Sequence, residues 1–243
     1  MSIDPKGDFG VRKLDNLTLG TIGEGSLGLL YGPSGTGKSS LGYSFLFEGA
    51  RNDENCLLIT SEVPSVVRAR MSGFEGFDPR WLKEGRLSVL MYREMMRLIG
   101  VDPWNMNQTD MILFFRLLMK AAADLKANRL VMDPVNPMIV QLAGLRRSDL
   151  VPNLKGEVQR RGIKTLMITD TFGDLEDELS GVFSPYMFDF VFRFDKQVEH
   201  STSRNTFHIE KFRGAPHSRS EYVIEVSPEG IVLMPCITPL EVE

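Results

Sequence analysis

Gly32-Pro33-Ser34-Gly35-Thr36-Gly37-Lys38-Ser39 fills every fixed position of the pattern G-x-x-x-x-G-K-[ST]. The pattern demands a particular setting: a buried strand leads into it and a helix leaves it, so that glycine-freed backbone N–H groups turn inward on an anion. Gly28 to Tyr31 is the apolar run before it, and Lys38 to Gly49 carries helical spacing after it. Strand, loop and helix in that order point to an α/β fold built on a parallel sheet. The same residues name the chemistry. Gly32 through Gly37, with Ser40 in the first helical turn, cradle phosphates, Lys38 reaches the β and γ phosphates, and the Ser39 hydroxyl ligates magnesium. ATP and Mg2+ are the expected cofactors, with the choice among purine nucleotides left open.

The alternation continues along the chain. Cys56 to Thr60 reads as a second buried strand, and Pro64 starts a helix through Arg70, because proline suits a first helical turn. Leu87 to Met91 is a third strand. Apolar positions at helical spacing over Asp110 to Ala127, with Thr109 as cap, lead to the strand Leu130-Val131-Met132, which ends at Asp133. A helix from Asp149 to Arg161 and a strand over Thr165 to Ile168 follow, and such unbroken apolar runs suit strands covered on both faces. Then the pattern changes. Phe190 to Val198, Asn205 to Phe212, Glu221 to Val226 and Ile231 to Met234 read as antiparallel strands, with turns at His200 to Ser203 and Ser227 to Gly230. A single α/β domain over residues 1–243 is expected, its central sheet mostly parallel and its carboxyl-terminal strands antiparallel, with no repeat or linker to divide it.

Magnesium beside a P-loop needs an acid at the end of a neighbouring strand, and Asp133 has that position. The competing assignment is a turn aspartate, because Asp-Pro opens turns and Pro134 follows. A base that activates water is needed too. Glu62, just beyond the second strand, has a suitable topological position, and the alternative is a solvated glutamate at a helix start. The stretch from Met91 to Met111 holds Met95, Met96, Trp104 and Met106 with few secondary-structure signals. These residues either cover the core, the commoner use of apolar side chains, or offer a flexible surface to a partner.

Composition narrows the function classes. Acidic residues outnumber basic ones 32 to 28, so the whole-chain footprint of a strong nucleic-acid or anionic-membrane binder is absent. Two cysteines, Cys56 and Cys236, make no disulfide framework and suit a reducing compartment. No run approaches the roughly 20 apolar residues that span a bilayer, and the first ten residues carry Asp4, Lys6 and Asp8 and no apolar stretch. A cytoplasmic protein without membrane insertion is expected.

Three segments carry a resemblance: Gly10-Val11-Arg12-Lys13-Leu14-Asp15, the P-loop with Leu41 to Gly49, and Lys211-Phe212-Arg213-Gly214-Ala215-Pro216-His217. With Glu221-Tyr222 and Glu229-Gly230-Ile231 they resemble the KaiC family of RecA-superfamily P-loop ATPases, over nearly the whole chain, as one KaiC-type domain against two in the clock protein. The resemblance implies a RecA-like core, slow ATP hydrolysis, and a homo-oligomer that is a hexameric ring with nucleotide at its subunit interfaces. In such a ring Lys211 and Arg213 project into the neighbour's nucleotide site, and His217 is either close to the ligand or a plain loop residue. An arginine supplied in trans neutralises charge developing on the γ-phosphate, so hydrolysis would require assembly. There are two departures from the family. Thr60-Ser61-Glu62-Val63-Pro64 holds one carboxylate where adjacent glutamates are frequent, which implies very slow turnover. Pro185-Tyr186 stands where the clock protein's autokinase half has a serine and a threonine, so self-phosphorylation is not expected, although Ser184 is close.

Three functions compete on these grounds. The favoured one is a ring-forming ATPase whose nucleotide state governs a regulatory protein partner of unknown identity. A recombinase-like DNA-repair ATPase would need the loops after Asp133 and Thr169 to line a path for single-stranded DNA. The first loop offers Arg146 and Arg147, but Asp174 to Glu178 of the second carries four carboxylates that repel a phosphate backbone, so nucleic acid is not expected. The third is a nucleotide-binding scaffold without turnover, which the lone Glu62 keeps open.

Overall fold

A computed structural model describes residues 7–19, 22–101, 107–135, 150–171, 185–199 and 202–236. Among these residues one nine-stranded sheet organises the chain. Its strands are β1 (Leu27–Gly32), β2 (Cys56–Thr60), β3 (Leu87–Met91), β4 (Arg129–Asp133), β5 (Lys164–Asp170), β6 (Phe190–Glu199), β7 (Thr202–Phe212), β8 (Glu221–Ser227) and β9 (Gly230–Pro235). They lie in the order β3-β2-β4-β5-β1-β6-β7-β8-β9. The P-loop strand β1 is therefore central, parallel to β5 on one side and to β6 on the other. All three remaining pairings on the β5 side, β5 with β4, β4 with β2 and β2 with β3, are parallel as well. From β6 to β9 the pairing is antiparallel.

The helices are α1 (Arg12–Leu17), α2 (Lys38–Arg51), α3 (Pro64–Met71), α4 (Arg80–Lys83), α5 (Tyr92–Leu98), α6 (Gln108–Asp124) and α7 (Leu150–Arg161). Two hydrophobic clusters cover the two faces of the sheet, and alternate residues of each strand divide between them: Leu57 and Ile59 face α5, α6 and α7, while Cys56 and Leu58 face α2 and α3. This two-sided cover explains why β2 is buried at every position. Burial also pushes the Cys56 thiol up to about 12.

Three expectations need correction. The strand from Phe190 is not antiparallel on both sides, since β6 runs parallel to β1 and turns the sheet antiparallel only at its far edge; direction depends on the crossover before it, which the apolar pattern does not encode. The cap of α6 is Asn107 rather than Thr109: its side chain accepts from the Asp110 N–H at 3.1 Å, and the Asp110 carboxylate accepts from the Asn107 N–H at 2.9 Å. β7 begins at Thr202, inside the expected turn. In the stretch of sparse signals, Met95, Met96 and Met111 are buried in the core, while Trp104 and Met106 lie outside the described residues.

At the amino-terminal edge of the parallel strands sits a buried polar lattice. Arg129, 2% exposed, pairs with Asp8 at 3.2 Å and with Glu54, donates to the carbonyl of Phe45 at 2.9 Å and lies over the Phe45 ring. Lys164 meets the same Asp8 at 2.6 Å. Asp15 accepts from the N–H groups of Phe9 and Val11 at 2.9 and 3.1 Å. These contacts fasten residues 7–19 beneath α2, so Asp15 of the Gly10 to Asp15 segment has a structural use.

Candidate functional site

The chain leaves β1 at Gly32 with φ +142°, and a Cβ there would stand 2.0 Å from the Phe194 carbonyl oxygen of the adjoining strand. Only glycine fits. Gly37, at φ +101°, is the left-handed residue from which α2 starts, so the helix presents its N-terminal N–H groups, with Lys38, Ser39 and Ser40 in its first turn, to the space the loop encloses. Thr36 ties the loop by donating its hydroxyl to the Pro33 carbonyl at 2.8 Å, and Asn205 of β7 donates to the Gly35 carbonyl at 3.2 Å. Lys38 is buried, and its ammonium donates to the carbonyls of Gly32 and Pro33 at 2.8 and 2.6 Å and pairs with Asp170 at 2.8 Å.

Asp133 ends β4 and Asp170 ends β5, and Lys38 and Ser39 of α2 meet them across the mouth of the parallel sheet. Ser39 and Asp133 line the same cleft, and Ser39 favours the ionised Asp133 carboxylate. Burial, with the nearby charges of Asp170 and Glu62, pushes the Asp133 carboxyl up to about 6 against the opposing pull of Ser39 and Lys38. Glu62, past the end of β2, is held by Arg70 of α3 at 2.5 Å, and Arg70 also meets the hydroxyl of Tyr43. Burial and the charges of Asp133 and Glu62 push that phenol up to about 12. Lys38, Ser39, Glu62, Arg70, Asp133 and Asp170 line a cleft of about 770 Å³ that takes in Ser34, Gly35 and Gly37 of the loop and is walled on its far side by β7 and β8. Its volume suits a nucleotide.

The donor set fits a magnesium–phosphate complex. The Ser39 hydroxyl and the Asp133 carboxylate, both lining the cleft, offer the two oxygen ligands that a P-loop site contributes, and Mg2+ takes its remaining ligands from phosphates and water. Among the described residues no group of three or more His, Cys, Asp or Glu side chains forms an all-protein metal cage.

Lys211 and Arg213 do not line this cleft. The Arg213 N–H donates to the Asp189 carbonyl at 2.8 Å, and the Asp189 N–H donates to Leu27, the first residue of β1. Arg213 is thus level with the entry of the strand whose exit carries the P-loop, about 17 Å away along the strand at roughly 3.3 Å per residue. The Lys211 ammonium donates to the Pro185 carbonyl at 2.7 Å, and burial together with the charges of Arg213 and Lys155 lowers its pKa. Arg213 donates to the Tyr186 carbonyl at 3.1 Å and faces Asp189 at 3.5 Å, while Lys155 of α7 binds the same carboxylate at 2.6 Å. His217 packs against the Phe212 ring, with centroids 6.5 Å apart, and is likewise outside the cleft.

The family model described as the KaiC ATPase matches residues 8–236. The chain belongs to the KaiC ATPase family. A UPF0273 protein of Pyrococcus furiosus is 25% identical over 236 residues, 93% of this chain and 92% of that protein. The circadian clock protein KaiC3 of Synechocystis is 24% identical over 240 residues, which take up 97% of this chain and 46% of that protein. A solved structure, the KaiC-like protein of Pyrococcus horikoshii, shares the fold with a TM-score of 0.73 at 24% identity, over 94% of this chain and 98% of that one.

Within this KaiC-family cleft, Asp170 and Arg70 escape the sequence reading. Asp170 ends a buried strand in the way Asp133 does, and that parallel was the available signal; Arg70 had none, because its partner Glu62 is eight residues away across a strand-to-helix turn. Arg146, Arg147, Asp174 to Glu178 and Ser184, which bear on the DNA and self-phosphorylation readings, lie outside the described residues. No helix among the described residues is long and apolar enough to cross a membrane.

Proposed function

We propose that this protein is a cytoplasmic, slowly hydrolysing ATPase, a single KaiC-type domain over residues 1–243 that assembles into a homo-oligomeric, hexameric ring and governs a regulatory protein partner through its nucleotide state. The observation that carries the nucleotide site is the meeting of Lys38, Ser39 and Asp133 at the mouth of one cleft. Bound magnesium would supply charge neutralisation between the β and γ phosphates. The chain's own residues do the rest. Loop N–H groups and the start of α2 receive the phosphates, Ser39 and the ionised Asp133 hold the metal, and Glu62 takes a proton from the attacking water.

Slow turnover is supported by the Glu62–Arg70 pair, since a carboxylate engaged by a guanidinium must give up that contact before it can serve water as a base. Assembly is supported by the placement of Lys211 and Arg213 at the far end of β1, out of reach of their own P-loop. Their charges are useful to hydrolysis only when a neighbour brings its γ-phosphate to them.

The test is the molecular mass in solution with and without ATP and Mg2+, alongside hydrolysis by the parent, Lys38→Ala and Glu62→Gln. A nucleotide-dependent ring is expected, with Lys38→Ala losing ATP binding and Glu62→Gln keeping affinity but not turnover. A monomer at all nucleotide concentrations that still hydrolyses ATP would sink the ring, and a folded Lys38→Ala protein with parental ATP affinity would sink the site.

A further inference from the structure

We propose that Arg70 is a γ-phosphate contact supplied by the subunit's own cleft: nucleotide entry moves its guanidinium from Glu62 to the phosphate and so frees Glu62 for water. Arg70, in the last turn of α3, pairs with Glu62 at 2.5 Å and lines the same cleft as Gly35, Lys38 and Ser39. The two side chains are 54% and 32% exposed, and a pair so open to solvent is weak. An incoming anion can break it.

The placement of Arg70 suits such an exchange. Tyr43 of α2 is buried and lies close to Arg70, Glu62 and Asp133. It stands four residues after Ser39, on the same face of the helix and about 6 Å along its axis. Arg70 is therefore held about one turn of α2 from the hydroxyl assigned to magnesium. Glu62 is fixed at its backbone, where its N–H donates to the Thr60 hydroxyl at 3.2 Å at the end of β2, so the long arginine side chain is the member of the pair that moves.

Charge sets the direction of the exchange. Lys38 is already held by the Gly32 and Pro33 carbonyls and by Asp170, at 2.8, 2.6 and 2.8 Å. A γ-phosphate brings about two negative charges and three acceptor oxygens to the planar guanidinium fork, where Glu62 brings a single charge. ADP has no group at the γ position and leaves Arg70 on Glu62. The contact thus tells ATP from ADP and couples arrival of the scissile phosphate to release of the base.

This inference rests on the reading of the cleft as an ATP site with Glu62 as its base. Its test is calorimetric binding of ADP and of the non-hydrolysable analogue AMP-PNP, both with Mg2+, to the parent, Arg70→Ala and Arg70→Lys, with turnover at saturating ATP measured on the same proteins. Arg70→Ala should bind the analogue about tenfold more weakly than the parent and ADP within about twofold of it. Arg70→Lys, which keeps the charge without the fork, should recover part of the preference for the triphosphate. Turnover of Arg70→Ala at saturation should not exceed that of the parent, since bound ATP has already freed Glu62 there. A several-fold rise in turnover at unchanged affinities would make Arg70 a clamp on Glu62 alone and overturn the exchange. Equal loss of both affinities, the mark of a structural ion pair, also overturns it, as does no change in either. Circular dichroism decides whether each variant folds, and failure of both to fold assigns the pair a structural role and overturns the proposal. Lys38→Ala in the same assay separates the two ideas: parental analogue binding there removes the nucleotide site itself, whereas lost binding there with an unchanged Arg70→Ala preference removes only the role of Arg70. Parental turnover in Glu62→Gln removes the base and with it the coupled release.

Discussion

The two ends of the parallel sheet handle charge in opposite ways. At the end where β1 begins, buried Arg129 and Asp8 and half-buried Glu54 and Lys164 lock onto one another and onto backbone carbonyls, mutually neutralised. At the end where β1 stops, Lys38, Asp133, Asp170 and Glu62 also lie close together, but they line an open cleft that phosphate, metal and water can enter. The first arrangement holds the chain together. The second keeps charges available, at some expense in stability, and the raised Asp133 carboxyl is its signature. Lys211 and Arg213 belong by position to the first end but stand outside its lattice, Lys211 on the Pro185 carbonyl and Arg213 beside Asp189, and the proposed ring would put them to use at a neighbour's site.

The comparison can be broken most decisively at Arg213. In Arg213→Ala hydrolysis should fall a thousandfold or more, the scale of an arginine supplied in trans, while nucleotide affinity stays at the parental level. Mixing that protein with Lys38→Ala should restore part of the activity, because a mixed ring contains interfaces with an intact P-loop facing an intact arginine. Mixed rings that form by mass but hydrolyse no faster than either variant would return Arg213 to a solvated strand end.

Arg129→Ala addresses the opposite claim. Removing one partner from a buried ion-pair lattice leaves Asp8 and Glu54 partly uncompensated and should cost about 3–5 kcal/mol in urea unfolding. Nucleotide affinity of the folded protein should not change. A large affinity change at full stability would show that the two ends are not separate.

Asp133→Asn should stabilise the nucleotide-free protein while removing its metal dependence. The carboxyl is raised from 3.8 to about 6 on folding, so its favourable contribution is complete below about pH 4 and is lost as pH rises through about 6. At pH 7.5 the ionised group then costs roughly 2–3 kcal/mol, at 1.36 kcal/mol per unit, and the amide avoids that cost. Thermal unfolding should show the variant ahead at pH 7.5 and level with the parent near pH 4. An advantage that persists unchanged at pH 4 would trace to something other than the buried charge.

The smallest effect concerns a residue outside both ends. Asn107→Ala removes the cap of α6 and should lower stability by about 1 kcal/mol without changing hydrolysis, as read by thermal unfolding and turnover together.

Short-range signals in this chain could be read without a structure. The P-loop from Gly32 to Ser39, the strand Cys56 to Thr60 that lies where its apolar run put it, and the helix start at Pro64 all follow from chemistry within a few residues: glycine freedom, apolar runs and proline's fixed φ. The acid at the end of β4 was legible for the same reason, since a buried strand that ends in aspartate needs no partner to be seen. Tertiary structure alone decided which groups meet. Lys38 and Asp170 are far apart in sequence and touch because β5 lies beside β1, a neighbour relation set by crossovers rather than by any local pattern. The direction of β6, the lattice around Arg129 and the hold of Arg70 on Glu62 have the same origin. A side chain's own properties give its secondary structure, but its electrostatic role depends on what packing brings within a few ångströms, and that distance is a property of the folded chain.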